Sequence, residues 1–304
     1  MSGQSILQPR VLIPFTIATL IWGSTWFVIR GQLGVVPPTW SVAYRFLIGA
    51  ATMFAWARYT RAPLNIGYPG QIFAVLFGLA QFVLNFNFIY RAEDHVTSGL
   101  VAVVFALLIV PNAIFGRIFL KVPLSRRFLL GSAIALVGVA LLIVQEVRRD
   151  GSSPEATLLG TSLTVLGLMS ASVANIMQGT KQAHALPMAS VLAWSMLWGG
   201  LMNVALGLAT VGPPVIETHS LYWAGVVYLG VFASAIAFTA YFGVIRAIGP
   251  ARAAYSGVLT PILAMLLSTL FENYRWTALA AAGGGVAMVG LLVALGGKRI
   301  ATIS

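Results

Sequence analysis

Ten runs of about 20 mostly apolar residues succeed one another along the chain, parted only by short polar breaks. A helix needs about that length to cross the hydrocarbon core of a bilayer. The runs lie near 11–30, 39–57, 70–90, 96–116, 126–145, 158–178, 188–210, 221–244, 252–270 and 276–296. Pro37-Pro38, Pro63, Pro69, Pro123, the stretch 148–154, Pro187, Pro213-Pro214, Gly249-Pro250 and the stretch 272–275 mark the breaks. The runs are too long for barrel strands and lack their alternation. The first is not read as a cleaved signal peptide, because it has no small-residue cleavage site and carries Trp22 and Trp26. The spacing predicts an all-α integral membrane protein with ten transmembrane helices.

Charge supports this reading. Asp and Glu number 7 and Lys and Arg 18 among 304 residues, so 8% are charged, against roughly a quarter in a soluble domain. That excludes a soluble enzyme and a disordered chain, and the absence of cysteine excludes a disulfide scaffold and thiolate metal sites. The net charge of +11 does not point to nucleic acid, because the cations sit one to four at a time between apolar runs. Arg10, Arg58, Arg61, Arg117, Lys121, Arg126, Arg127, Lys181, Arg246, Arg252, Lys298 and Arg299 fall on one side of the predicted bundle. Arg30, Arg91, Arg148, Arg149 and Arg275 fall on the other. Twelve against five puts both termini in the cytoplasm. The expected partners are the lipid bilayer and a small-molecule substrate, with no nucleic acid, and the expected state is a monomer in a bacterial inner membrane.

The halves resemble each other. Arg91-Ala92 and Arg246-Ala247 close the third and eighth runs, and Gly131/Gly138 and Gly283/Gly290 share one seven-residue spacing in the fifth and tenth. Leu124-Ser125 and Trp276-Thr277 precede those glycines at equal distances. Five spans per unit is an odd number, so the second unit, 151–304, must lie inverted relative to the first, 1–150. Two inverted five-helix repeats with a site between them are a transporter architecture.

On these residues the chain resembles the EamA-type repeats of the drug/metabolite transporter superfamily. Trp22-Gly23-Ser24 and Arg45-Phe46 are similar to the start of its first repeat. The run Ala247 to Ala254 through Gly249-Pro250, then Leu259-Thr260-Pro261 and Glu272, is similar to its second. Within the superfamily the chain looks closest to the YddG-type exporters of aromatic amino acids. The resemblance implies a plasma-membrane exporter with a central cavity. One departure is Lys121, which stands where the first repeat of that family often has an acid.

Catalytic constellations are missing. There is no HExxH, no GxSxG elbow and no carboxylate pair within a span. His95, His184 and His219 lie far apart near span ends, so neither a metal nor a cofactor is expected. All seven acids sit at or beyond span ends. An ionisable residue inside the membrane is costly and needs a functional reason. Its absence predicts gradient-driven movement of net-neutral solutes without an obligatory proton.

Trp22 and Trp26 share a helix face, as do Trp194 and Trp198, and each pair serves either a substrate ring or plain packing. Gln81 and Asn85, four apart, with Phe88 three further on, form a stripe that lines a cavity or joins helices by hydrogen bonds. Asn175 and Gln178 carry the same two readings. The expected substrate contacts are thus Trp22, Trp26, Gln81, Asn85, Phe88, Asn175, Gln178 and Trp194. Phe86 and Tyr90 are expected near an extracellular gate, Tyr241 and Phe242 near a cytoplasmic one. Pro111 and Pro261 are expected to kink their helices and act as hinges. Arg45, inside the second span, either snorkels, pairs structurally or meets a substrate carboxylate. A second reading within transport is an importer or exchanger of anionic metabolites that uses Arg45. A lipid scramblase or another non-transporting role is the remaining alternative.

Overall fold

The computed structural model describes residues 8–34, 36–121, 124–148, 153–248, 253, 256–271 and 276–295. Among these the long helices string into ten rods, a short helix Lys181–Ala185 lies between the sixth and seventh, and no strand occurs. They are α1 (Pro9–Arg30), α2 (Pro38–Tyr59), α3 (Gly67–Ala92), α4 (Ser98–Phe119) and α5 (Arg126–Val147). The second half has α6 (Pro154–Gln178), α7 (Met188–Thr210), α8 (220–248), α9 (Ser256–Phe271) and α10 (Ala278–Leu295). Seven of the rods are long and apolar enough to cross a membrane. The other three are α2, which carries Arg45 and Arg58, and α9 and α10, which have only 16 and 18 described residues.

Local chemistry sets the helix starts. Pro occupies the first turn of α1, α2 and α6, where its missing N–H costs nothing. The Ser153 hydroxyl accepts from the Ala156 N–H at 3.0 Å and caps α6. Ser125 accepts from the Phe128 N–H at 3.1 Å, and Thr277 accepts from the Ala280 N–H at 3.1 Å. The two hydroxyl residues matched between the halves therefore perform the same task, capping α5 and α10.

Packing repeats the same correspondence. α1 lies against α8 and α9, while its counterpart α6 lies against α3 and α4. α5 and α10 form a long antiparallel contact through glycine. A Cβ on Gly131 would come within 2.6 Å of the Gly290 carbonyl, and one on Gly290 within 2.7 Å of the Gly131 carbonyl. Gly138 and Gly283 face each other in the same reciprocal way, at 2.7 and 3.0 Å. Exchanging the two halves maps each pair onto the other, as an inverted repeat requires. Small residues let helix backbones meet closely where no hydrophobic effect drives association.

The regular helices are broken in three places. α3 is π-helical over Leu79–Leu84 and α8 over Leu229–Ile236, at corresponding depths of matched helices. α4 breaks at Leu107–Leu108. Pro111 explains that break, since its ring conflicts with the carbonyl four residues earlier, that of Leu107. α9 stays helical across Pro261, from Ser256 to Phe271.

The glycine contact makes a paired prediction. Gly138→Ala forces α5 off α10 and should cost about 1–3 kcal/mol, as overpacking does. Gly285→Ala has open space around its Cβ and should be neutral or stabilising by up to about 1 kcal/mol. Thermal melting of both variants in one detergent checks the contrast.

Candidate functional site

A cavity of about 120 Å³ lies in the middle of the bundle, with walls from both halves. α1 contributes Trp22, Thr25, Trp26 and Ile29; α2 contributes Arg45; α3 contributes Gln81, Asn85, Phe86 and Ile89. Asn112 of α4, Asn175 of α6, and Phe238 and Tyr241 of α8 close the ring.

The π-helical turns build much of this wall. A π turn holds more residues than an α turn and loosens the regular backbone ladder. In α3 it keeps every fourth residue on one face, so Gln81, Asn85 and Ile89 line the cavity and Phe88 turns away half-buried. In α8 the Ala233 carbonyl accepts from Trp22 Nε1 at 3.1 Å, and the Ser234 hydroxyl accepts from Arg45 Nε at 3.0 Å. The ring of Trp22 meets the edges of Phe238 and Tyr241 at 5.2 and 4.8 Å. Trp26 lies 5.4 Å from Phe105, and its buried indole N–H has no partner.

Arg45 is the one charged residue among the described cavity walls. It is 1% exposed. Its guanidinium sits over Phe86 at 4.2 Å from the ring centre, a cation–π contact, and 5.2 Å from Phe46. Nη1 has no hydrogen-bond partner. The Tyr90 hydroxyl donates to Gln32 Oε1 at 2.9 Å and also interacts with the Arg45 charge, as Glu93 does from the end of α3. Two neutral amides stand on the same wall with free acceptors. Gln81 Oε1 and Asn85 Oδ1 are buried without partners, on residues 4% and 2% exposed. Buried polar atoms are nearly always satisfied, and these three exceptions, with Trp26 Nε1, belong to residues of one cavity wall.

The expected site residues divide accordingly. Trp22, Trp26, Gln81, Asn85, Asn175, Phe86 and Tyr241 meet at the cavity. Phe88, Gln178, Trp194, Tyr90 and Phe242 do not line it. Trp194 is occupied elsewhere, donating from Nε1 to the Leu64 carbonyl at 2.8 Å and packing edge-on to Phe54. Gln178 is buried in the last turn of α6. Phe242 belongs to a layer of rings beside the cavity wall. It stacks on Phe238 at 5.5 Å and meets Phe77, which meets Phe82, which meets Phe46. This layer lies toward the start of α3 and the end of α8. A separate cluster joins helices away from the cavity: Arg91 donates to Asn87 and Thr39, and Asn87 donates to Asn203 at 2.6 Å. Thus Asn87 ties helices together, whereas Asn85, two residues earlier, lines the cavity.

Sequence reading passed over Ser234, Phe238 and Asn112. No local signal marks Ser234, which sits within the π turn of α8, and Phe238 follows just after it. Asn112 follows Pro111, and a polar residue next to a helix-breaking proline was a signal that could have been used. Among the described residues no cluster of His, Cys, Asp or Glu is placed to hold a metal ion.

Comparison with known proteins identifies the architecture. One solved crystal structure superposes with a TM-score of 0.68 at 22% identity, covering 93% of this chain and 95% of that one, a likeness of fold. Curated relatives include the uncharacterized inner membrane transporter YedA of Escherichia coli, 28% identical over 91% of this chain and 88% of its own length. The protein PagO of Salmonella typhimurium is 24% identical over 87% and 86%, and the uncharacterized transporter YdfC of Bacillus subtilis 24% over 93% and 90%. The model of the EamA-like transporter family matches twice, over residues 11–144 and 158–296. With both halves matched, the chain belongs to the EamA-like transporter family, a family of membrane transporters and not of enzymes.

Proposed function

We propose that this transporter exports small amphipathic solutes, with aromatic amino acids as the leading substrates, by alternating access around the central cavity. The observation that carries the reading is the wall itself. Trp22, Trp26, Phe86, Phe238 and Tyr241 offer ring faces and edges, while Gln81, Asn85, Asn112 and Asn175 offer amides. A ring stacks on the first group and polar substituents meet the second.

In this reading residues 1–150 and 151–304 act as the two repeats that rock about the cavity. Both termini are cytoplasmic, on the twelve-to-five bias of basic residues. YedA is by its name an inner membrane transporter, and the same membrane is proposed here. With that orientation the layer formed by Phe77, Phe82 and Phe242 seals the cytoplasmic half. Phe86 and Tyr90 lie in the outer half. The break at Leu107–Leu108 above Pro111 is the hinge in α4.

No carboxylate lies among the described residues of the cavity wall, so substrate movement is proposed to follow its own gradient without an obligatory proton. A second reading, carriage of anionic metabolites, is favoured by one observation, the charge of Arg45 on that wall.

Efflux of labelled phenylalanine from proteoliposomes tests the reading. The wild type should empty them faster than protein-free liposomes do. Trp22→Ala and Asn85→Ala should slow it about tenfold, as the loss of 1–2 kcal/mol of contacts does. Trp194→Phe, remote from the cavity, should stay near wild type. Equal rates for protein-loaded and empty liposomes would sink the proposal. An imposed pH gradient should leave the final distribution of phenylalanine unchanged. Accumulation that tracks the gradient would show a coupled proton instead.

A further inference from the structure

The polar groups around the cavity are unequal in charge, and that inequality says which part of a substrate is recognised. Arg45 is held from behind. Its Nε is fixed by Ser234, and Phe86 supports one face of the guanidinium. These anchors, and the Tyr90 hydroxyl that also acts on the guanidinium through a side-chain hydrogen bond, are neutral, so they position the cation without cancelling it. Nη1 is left without a partner. The arrangement is costly, because a buried charge needs compensation, and Glu93 supplies only part of it through charge from the end of α3. A planar guanidinium with a free edge, braced in one orientation, matches a carboxylate in geometry and charge. For the other end of an amino acid the described wall has no carboxylate. An ammonium finds there only the neutral acceptors Gln81 Oε1 and Asn85 Oδ1 and the ring faces of Trp22 and Trp26.

We propose that Arg45 is the carboxylate receptor of this transporter and that the amino group of the substrate is dispensable. The substrate class is then the aromatic monocarboxylates, amino acids and their deaminated relatives alike. Aromatic amines without a carboxylate are excluded. The ring occupies the Trp22, Phe238 and Tyr241 side, the carboxylate meets Arg45, and Gln81 and Asn85 take whatever polar substituent the α-carbon carries. Charge pairing also gives the carboxylate group a decisive share of affinity, because it adds compensation that Tyr90 and Glu93 supply only in part. The proposal rests on the reading of the central cavity as the substrate site for aromatic amphipaths and says which of their groups the protein reads.

The test uses the purified full-length wild type and three ligands of one ring size: phenylalanine, phenylpropionate and phenethylamine. Affinity is measured by calorimetry and by shift of the melting temperature. Phenylpropionate should bind within about tenfold of phenylalanine, since it loses only neutral hydrogen bonds. Phenethylamine should bind at least about tenfold more weakly than either, having lost the charge-assisted pair. Arg45→Gln should weaken both carboxylates by about tenfold or more and bring phenethylamine level with them. Should that variant fail to fold, the wild-type series decides alone. Binding of phenylalanine but not of phenylpropionate overturns the inference and leaves the proposed function standing. Phenethylamine binding as well as phenylpropionate overturns it too. Failure of all three ligands overturns the proposed function with it.

Discussion

Hydrocarbon cannot hydrogen-bond, and nearly every feature of this molecule follows from that constraint. Backbone N–H and C=O groups must be satisfied within their own segment, so the described residues between the breaks are almost all helical. Polar side chains face the same demand and turn inward. Asn87, Asn203, Thr39 and Arg91 satisfy one another in the bundle interior, while Leu20, Leu130, Leu158 and Leu270 look outward. With lipid on both sides, burying leucine brings no gain in association. Helices are held instead by close backbone approach, which is why the glycines of α5 and α10 meet so tightly.

Against that background the departures from regular helix carry meaning. The π turns of α3 and α8 occupy matched places in the two repeats and flank the same cavity. One aims Gln81 and Asn85 at the cavity, and the other supplies the Ala233 carbonyl and the Ser234 hydroxyl that fix Trp22 and Arg45. Irregular backbone is tolerated at membrane depth where it lines a cavity or is covered by protein, and both conditions hold here. Symmetry in the backbone thus coexists with asymmetry in chemistry. The α3 side gives amides, and the α8 side gives aromatic rings.

Much of the architecture was legible in the sequence, because the membrane makes hydrophobicity a direct record of it. Apolar runs give the rods, proline and glycine give the breaks, and the odd number of spans per repeat forces inversion. The matched pairs Leu124-Ser125 and Trp276-Thr277 even marked the caps of α5 and α10. The site was legible in part. Trp22, Trp26, Gln81 and Asn85 are aromatic or amide residues within otherwise apolar runs, and polarity inside a membrane announces purpose. Trp194 carried the same signal and proved to be packing, since the Leu64 carbonyl waiting beside it belongs to a distant loop.

By itself, then, the sequence determined the number of rods, their order and inverted relation, and the scarcity of charge that excludes soluble chemistry. These are local properties, set by each segment's own transfer energy into lipid. Only the tertiary structure decided which polar residues are spent on holding helices together and which line the cavity without a partner. Asn87 and Asn85 differ by two positions and are chemically identical. Yet one finds partners on α7 and the other finds none, and that depends on what the opposite helix presents. The same holds for Arg45. Its presence in the second span could be read directly. Its neutral anchors and its unpaired nitrogen on the cavity wall depend on a π turn in α8, 189 residues further along the chain, which no local pattern encodes.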